Sequence, residues 1–379
     1  MRCRACTGSL HTHPLLRLED MPDAAQFLPD AAALASERGA DLDLLQCAAC
    51  GLIQLGGAPV HYYREVVRAA AYSPEMGAFR EEQLRGFARQ FGLVGHKVLE
   101  IGCGKGEYLT LLQKVGMQAH GLEFSSASVD HCREQGLTVH AGYVENEETL
   151  VPDAPFAAFF IFNFLEHMPD PRTSLRGMAH NLVPHGVGLV EVPNLDMILR
   201  HKLFSEFIRD HLTYFTRATL TNLLAMCSFE VIDCQEVWHD YILSATVRKR
   251  SPTDVSSLIQ HREHIHRDIH QYLDGFMPRR VAVWGAGHQA LAILSLVRIQ
   301  DRIRYVVDSA PFKQGRFTPA THLPIVAPQH LLADPVDGII VMAAAYSDEV
   351  AKRIQQQYDQ VKGVAILRDY GLEIVKNHA

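Results

Sequence analysis

The chain has 379 residues, more than one ordinary domain needs and enough for two or three. Apolar residues make up 47% and charged residues 21%, which excludes a disordered or fibrous chain. The formal charge of -7, from 36 basic against 43 acidic residues, comes without a long basic run and argues against nucleic acid or a membrane surface as a partner. The stretch Met1–Cys6 lacks the apolar centre of a signal peptide. No apolar run reaches the roughly 18–20 residues of a spanning helix, so the cytoplasm is the expected compartment.

Four regions are expected in an α/β chain: residues 1–75 as a metal-binding domain, 76–250 as a nucleotide-fold core, 251–278 as a helical linker, and 279–379 as a second α/β domain of Rossmann-like pattern. In the first, Cys3, Cys6, Cys47 and Cys50 make two C-x-x-C pairs. Each pair places two thiolates on one turn, and two turns make a closed tetrahedral S4 site for a structural zinc. A segment with so few large apolar residues gains stability from such a crosslink. His11 and His13 lie nearby and read as surface residues.

Residues 97–108 read as strand, tight turn and helix, with Glu100 at the strand end followed by Gly102, Cys103, Gly104 and Gly106. The glycines let the backbone approach a ligand closely. A second strand, 118–123, ends in Glu123 and Phe124; an acid there can accept two ribose hydroxyls. Tyr143 follows a third strand, where an adenine is expected. The fourth strand, 156–162, runs into Asn163, Phe164, Leu165 and the segment Glu166-His167-Met168-Pro169-Asp170-Pro171. In order and spacing these elements resemble the class I methyltransferases. That resemblance implies S-adenosylmethionine held by Glu100, Gly102, Cys103, Gly104, Glu123, Phe124, Tyr143 and the Asn163–Leu165 edge.

The fifth strand, 189–194, leads to a polar cluster around Asp210, His211, Thr213 and Tyr214. It lies at the end of the sheet where α/β folds bind ligands. A methyltransferase that alkylates carbon needs a general base and a group that stabilises an enolate. His211 is the candidate base, and His167 faces the same end of the sheet. An unperturbed imidazole gives activity rising through roughly pH 6–7.

Residues 251–278 read as a solvated linker helix, in spite of the closely spaced histidines from His261 to His270. Beyond it, Trp284-Gly285-Ala286-Gly287-His288 follows a strand, and Asp308 ends the next. This is a dinucleotide-type turn with a distal acid, whose helix N-terminus can hold an anion such as a diphosphate. Substrate contact, a purely structural repeat and a nicotinamide cofactor are all open readings. Gly285, Gly287, His288, Lys313 and Arg316 are the candidate substrate contacts.

Taken over roughly residues 1–374, the chain resembles the sugar C-methyltransferases of deoxysugar biosynthesis. The carriers are the paired C-x-x-C, the Glu100–Gly106 loop, the stretch from Asp210 to Thr216, and the stretch from Asp308 to Arg316 with Leu323-Pro324-Ile325. The resemblance implies an N-terminal zinc domain, a methyltransferase core and a C-terminal domain that helps enclose a nucleotide-linked keto sugar. It implies that His211 removes a proton to form an enolate, with Asp210, His167 and Tyr72 assisting. Better-known members carry Tyr-x-Glu-His where this chain has Ile208-Arg209-Asp210-His211. The tyrosine is missing and the acid is one methylene shorter, so either the enolate-stabilising hydroxyl is lost or Tyr214 replaces it. The acceptor is otherwise read as a small molecule, methylated at carbon, oxygen or nitrogen; a non-catalytic binding protein is the remaining alternative.

Overall fold

A computed structural model describes residues 1–24, 28–65 and 73–376. The chain forms two compact units, Met1–Pro252 and Thr253–Ala379.

The first unit opens with a small antiparallel ladder: β1 (Leu16–Met21), β2 (Ala40–Gln46) and β3 (Ile53–Leu55). Then come α1 (Pro74–Phe91), β4 (Lys97–Ile101), α2 (Glu107–Lys114), β5 (Gln118–Glu123), α3 (Ser126–Glu134), β6 (Thr138–Ala141) and β7 (Phe156–Phe162). The unit closes with α4 (Pro171–His180), β8 (Leu182–Pro193), α5 (Leu195–His201), β9 (Thr213–Tyr214), α6 (Arg217–Met226), β10 (Phe229–Val237) and β11 (Ile242–Lys249).

Seven of these strands form one sheet in the order β10-β11-β8-β7-β4-β5-β6. Strands β4 to β8 are parallel, and β11 runs antiparallel to both neighbours. The sequence of β7, Phe-Ala-Ala-Phe-Phe-Ile-Phe, is apolar throughout because helices cover both faces of a central parallel strand. Phe159 and Ile161 pack into one core and Phe160 and Phe162 into the other, as the alternation of a strand requires. Strand order reverses between β4 and β7, the position at which such sheets open a ligand crevice.

The cysteine-bearing segment is part of this unit and does not stand apart as the sequence reading had it. β3 pairs with β9, Ile53 opposite Tyr214 and Gln54 opposite Thr213. Leu42, Leu44 and Leu55 share a core with Leu195, Phe207 and Tyr214. The ladder thus covers its apolar face by pairing with β9 and packing against Leu195, Met197 and Ile198 of α5.

The second unit contains α7 (Ser256–Asp274), β12 (Val281–Trp284), α8 (His288–Val297), β13 (Ile303–Val307), β14 (Ile325–Val326), α9 (His330–Ala333), β15 (Gly338–Val341), α10 (Ser347–Gln357), β16 (Gly363–Leu367) and β17 (Leu372–Lys376). Its sheet runs β14-β13-β12-β15-β16-β17, parallel except for β17. Helix α7 corrects the linker reading. Ile265, Ile269 and Leu273 recur at helical spacing and enter the core of this unit. Burying each stabilises by about 1.5–3 kcal/mol. Among the described residues no helix is long and apolar enough to cross a membrane.

Candidate active site

The loop after β4 is built to let a ligand close to the backbone. Gly102 and Gly104 hold φ of +68° and +55°, which a side chain would strain. The loop presses on β5 so closely that a Cβ at Gly121 would lie 2.5 Å from the Cys103 sulfur. Glu123, at the end of β5, accepts from the Gly104 amide at 2.9 Å and from the Ser125 amide at 2.9 Å. A carboxylate has about four lone-pair sites, so ribose hydroxyls can still be accepted there. Glu100 is fully buried beside the loop. At the end of β7, Asn163 holds φ of +49°, and its buried Oδ1 has no partner among the described residues.

The expected adenine wall is aromatic. Phe124 and Tyr143 both face the Arg64 guanidinium, at 5.3 and 5.7 Å, and Arg64 pairs with Glu145 at 3.0 Å. Burial raises the Tyr143 hydroxyl above its usual pKa. Tyr143 meets Phe164 edge-on at 6.3 Å. Beneath the crevice lies a network that no sequence motif announces. Arg80 of α1 bonds to Glu191 of β8, which also accepts from Gln83 at 2.6 Å and from Ser244 at 2.8 Å. The guanidinium sits over the Tyr108 and Phe162 rings at 4.9 and 4.5 Å. A buried charge is tolerated when it is paired, as Arg80 is with Glu191.

The acceptor side is continuous with this wall, because Phe164 lies 6.3 Å from His167 and His167 meets His211 edge-on at 4.8 Å. Potential ligand atoms of Glu166, His167 and His211 all fall within 4.8 Å of one another. Two ladders hold the His211 segment in place. The Leu212 amide donates to the Glu166 carbonyl at 2.8 Å, and the Leu55 amide donates to the Leu212 carbonyl at 3.0 Å. Burial, with His167 adding to it, holds His211 well below the ordinary imidazole value, so the ring is neutral near pH 7. Burial lowers His167 as well. Its Nδ1 lies 3.0 Å from the Asp210 carbonyl, which can only accept; Nδ1 therefore carries the proton and Nε2 keeps its lone pair.

Tyr214 and Asp210 are both engaged by contacts within the fold. The Tyr214 hydroxyl accepts from the Ile208 amide and donates to the Ile208 carbonyl, both at 3.0 Å, so it closes a local loop and is not presented to an acceptor. The Asp210 carboxylate accepts from the Tyr62 hydroxyl at 2.7 Å, while its backbone carbonyl holds His167. Tyr72 lies outside the described residues. Two residues went unnoticed in the sequence. Tyr62 sits in no motif, and Glu166 was passed over although it directly precedes His167. Glu166 is fully buried, its Oε2 has no partner among the described residues, and desolvation pushes its pKa up to about 8. It is a neutral carboxylic acid at pH 7, able to donate.

The four cysteines converge. Cys3 and Cys50 sulfurs are 3.5 Å apart, as are those of Cys6 and Cys47, and all four lie within 4.8 Å of one another. Amides of Gly8 and Ala49 point at Cys6 and Cys47 sulfurs, at 3.4 Å each. This donor set fits a tetrahedral S4 ion with bonds of ~2.3 Å, whose ligand edges measure roughly 3.8 Å.

In the second unit a cleft of about 450 Å³ opens at the carboxyl ends of β12, β13 and β15. Gly285, Gly287, His288 and Lys313 line it; Arg316 does not, and instead bonds the Phe312 carbonyl at 3.1 Å. The second cation of the cleft is Arg353 from α10, too distant in sequence to be associated with the Gly-rich turn. Gly285 is required, since a Cβ there would lie 2.4 Å from the Met342 carbonyl oxygen. Asp308 accepts from the Ala286 and Ala310 amides and from Lys313 Nζ at 2.8–2.9 Å.

Residues 65–233 match the family model of a methyltransferase domain, and residues 256–367 match that of a C-methyltransferase C-terminal domain. The C-methyltransferase NovU of Streptomyces niveus is 23% identical over 286 residues, which are 68% of this chain and 68% of that protein. A ubiquinone biosynthesis O-methyltransferase of Methylococcus capsulatus is 33% identical over 100 residues, 25% of this chain and 42% of that one. The shared stretch with the latter is therefore less than half of either protein. The chain belongs to the S-adenosylmethionine-dependent methyltransferases, and among them to those in which a methyltransferase domain is followed by a C-methyltransferase C-terminal domain.

Proposed function

We propose that the protein methylates a carbon next to the carbonyl of a nucleotide-linked keto sugar, with His211 as the base. The observation that carries this reading is the cluster of buried Glu166 with half-buried His167 and His211 adjoining the donor crevice. S-adenosylmethionine, when bound, supplies an electrophilic methyl group. Glu100, the Gly102–Gly104 loop, Glu123, Phe124, Tyr143 and the Asn163–Leu165 edge are the residues to hold it. Neutral His211 accepts the proton from the acceptor carbon, and the electrons of that C–H bond pass to the carbonyl oxygen. Glu166, protonated near pH 7, donates a hydrogen bond to that oxygen and takes the place of the hydroxyl lost at Ile208. His167, fixed by the Asp210 carbonyl, holds the pocket side of His211. The cleft of the second unit, lined by Gly285, Gly287, His288, Lys313 and Arg353, suits an anion of the diphosphate kind. Cys3, Cys6, Cys47 and Cys50 hold a structural zinc.

The test is proton exchange. Purified protein is incubated in heavy water with a panel of nucleotide-linked keto sugars and no methyl donor. Deuterium entering the carbon next to the carbonyl, with gain of one CH2 when the donor is added, supports the reading. Methylation at oxygen or nitrogen without any exchange overturns it.

A further inference from the structure

A second cluster lies away from the donor crevice. His120 is the third of the six residues of β5, three before Glu123, and His140 belongs to β6. In the parallel register His120 faces Thr138 and Leu122 faces His140, so both histidines stand on one face of the sheet, diagonally across neighbouring strands. Their rings stack at 5.7 Å and 16°, and Phe156 meets His120 edge-on at 5.4 Å. Asp153, in the connection from β6 to β7, completes the group.

The distances are specific. His120 Nδ1 lies 3.4 Å from His140 Nε2 and 3.4 Å from Asp153 Oδ2, and His140 Nε2 lies 3.2 Å from that same oxygen. Three donor atoms thus mark a nearly equilateral triangle. A tetrahedral ion with bonds of ~2.0–2.1 Å to nitrogen and oxygen has ligand edges of roughly 3.3–3.4 Å. The triangle matches one face of that tetrahedron. The histidine side chains are 13% and 16% exposed, while Asp153 is 51% exposed, which leaves a side open to solvent.

We propose that His120, His140 and Asp153 form a second metal site, distinct from the four cysteines, that takes a divalent ion of the zinc, cobalt or nickel class with a water in the fourth position. Imidazole with a carboxylate suits these ions over calcium or magnesium, which need more oxygen ligands. Binding requires both facing nitrogens to be unprotonated. Each neutral ring then keeps its proton on the other nitrogen, and any surplus proton leaves to solvent. The ion would clip the connection between β6 and β7, which carries Tyr143, to the sheet.

The test loads the cysteines with one equivalent of zinc and then titrates Co2+. Uptake of one further equivalent, with visible d–d bands but no thiolate charge-transfer band, is expected. His140→Ala and Asp153→Asn should each weaken that uptake roughly tenfold or more, while the cysteine-bound zinc stays in place. Asp153 is exposed enough for its variant to fold, and circular dichroism verifies both. His266→Ala, on the histidine-rich helix of the other unit, should leave uptake unchanged. No second equivalent, an unchanged affinity in both His140 and Asp153 variants, or loss in the His266 variant overturns the proposal.

Discussion

The Tyr62 hydroxyl donates to Asp210 Oδ1 at 2.7 Å, from a position 148 residues earlier in the chain. Asp210 immediately precedes His211, and its carbonyl orients His167. Tyr62→Phe is expected to leave the Asp210 carboxylate without this buried donor, at a cost of about 1.5–3 kcal/mol. Turnover should fall while donor affinity, measured by calorimetry, stays within about twofold. Loss of donor affinity instead would place Tyr62 on the donor side of the site.

His211→Asn should lower kcat by about 10²–10⁴ without changing donor affinity. The pH profile refines this. The base works only when unprotonated, so activity rises as pH climbs through its pKa. Burial sets that value well below 6.5, so the acidic limb should fall below the pH 6–7 range of a free imidazole. A kcat/KM profile in which the variant keeps both the wild-type rate and the wild-type limb would remove His211 as the base and direct attention to His167.

Glu166 should set the alkaline limb. Its proton is needed on the carboxyl, whose pKa is raised to about 8, so activity should decline as pH rises through about 8. Glu166→Gln cannot ionise and should lose this limb. Stability follows the same group. The folded carboxyl keeps its proton to about pH 8 whereas the unfolded one releases it near 4.5, so folding binds a proton between these values. The contribution is present below pH 4.5 and is lost as pH rises through about 8. The Tm of Glu166→Gln should accordingly depend less on pH across that window. An alkaline limb that persists in the variant belongs to another group.

Glu123→Ala should weaken S-adenosylmethionine binding by about 1–3 kcal/mol, the range for losing hydrogen bonds to a charged group. Because Glu123 also ties down the Gly104 and Ser125 amides, Tm should drop as well. Unchanged donor affinity measured on the folded variant would show that another residue reads the ribose.

Cys47→Ser should remove one equivalent of zinc, detectable by elemental analysis, and lower Tm by ~2–4 °C for each kcal/mol lost. Turnover should fall too, because β3 pairs with the Thr213–Tyr214 strand next to His211. Donor affinity should hold, because the loops after β4 and β5 proposed to bind the donor lie outside the cysteine-bearing ladder. Protein that never carries stoichiometric metal while folding normally would rule out the structural zinc.

Local pattern carried a large part of this protein. The alternation of strands and helices, the apolar run of β7 and the glycines after β4 are periodicities and backbone needs that neighbouring residues express by themselves. The C-x-x-C pairs point to the cluster of four cysteines because two thiols on one turn are a local geometry. Only the folded chain decided what lies next to what. Tyr62 meets Asp210, Arg80 meets Glu191, and Arg353 lines the same cleft as Lys313, none of which any spacing encodes. Burial likewise decided chemistry. Glu166 reads as an ordinary acid in the sequence, and Tyr214 as a free hydroxyl. Desolvation makes the first a proton donor, and the Ile208 backbone occupies the second, because the charge and the availability of a polar group depend on the dielectric and the partners that tertiary packing places around it.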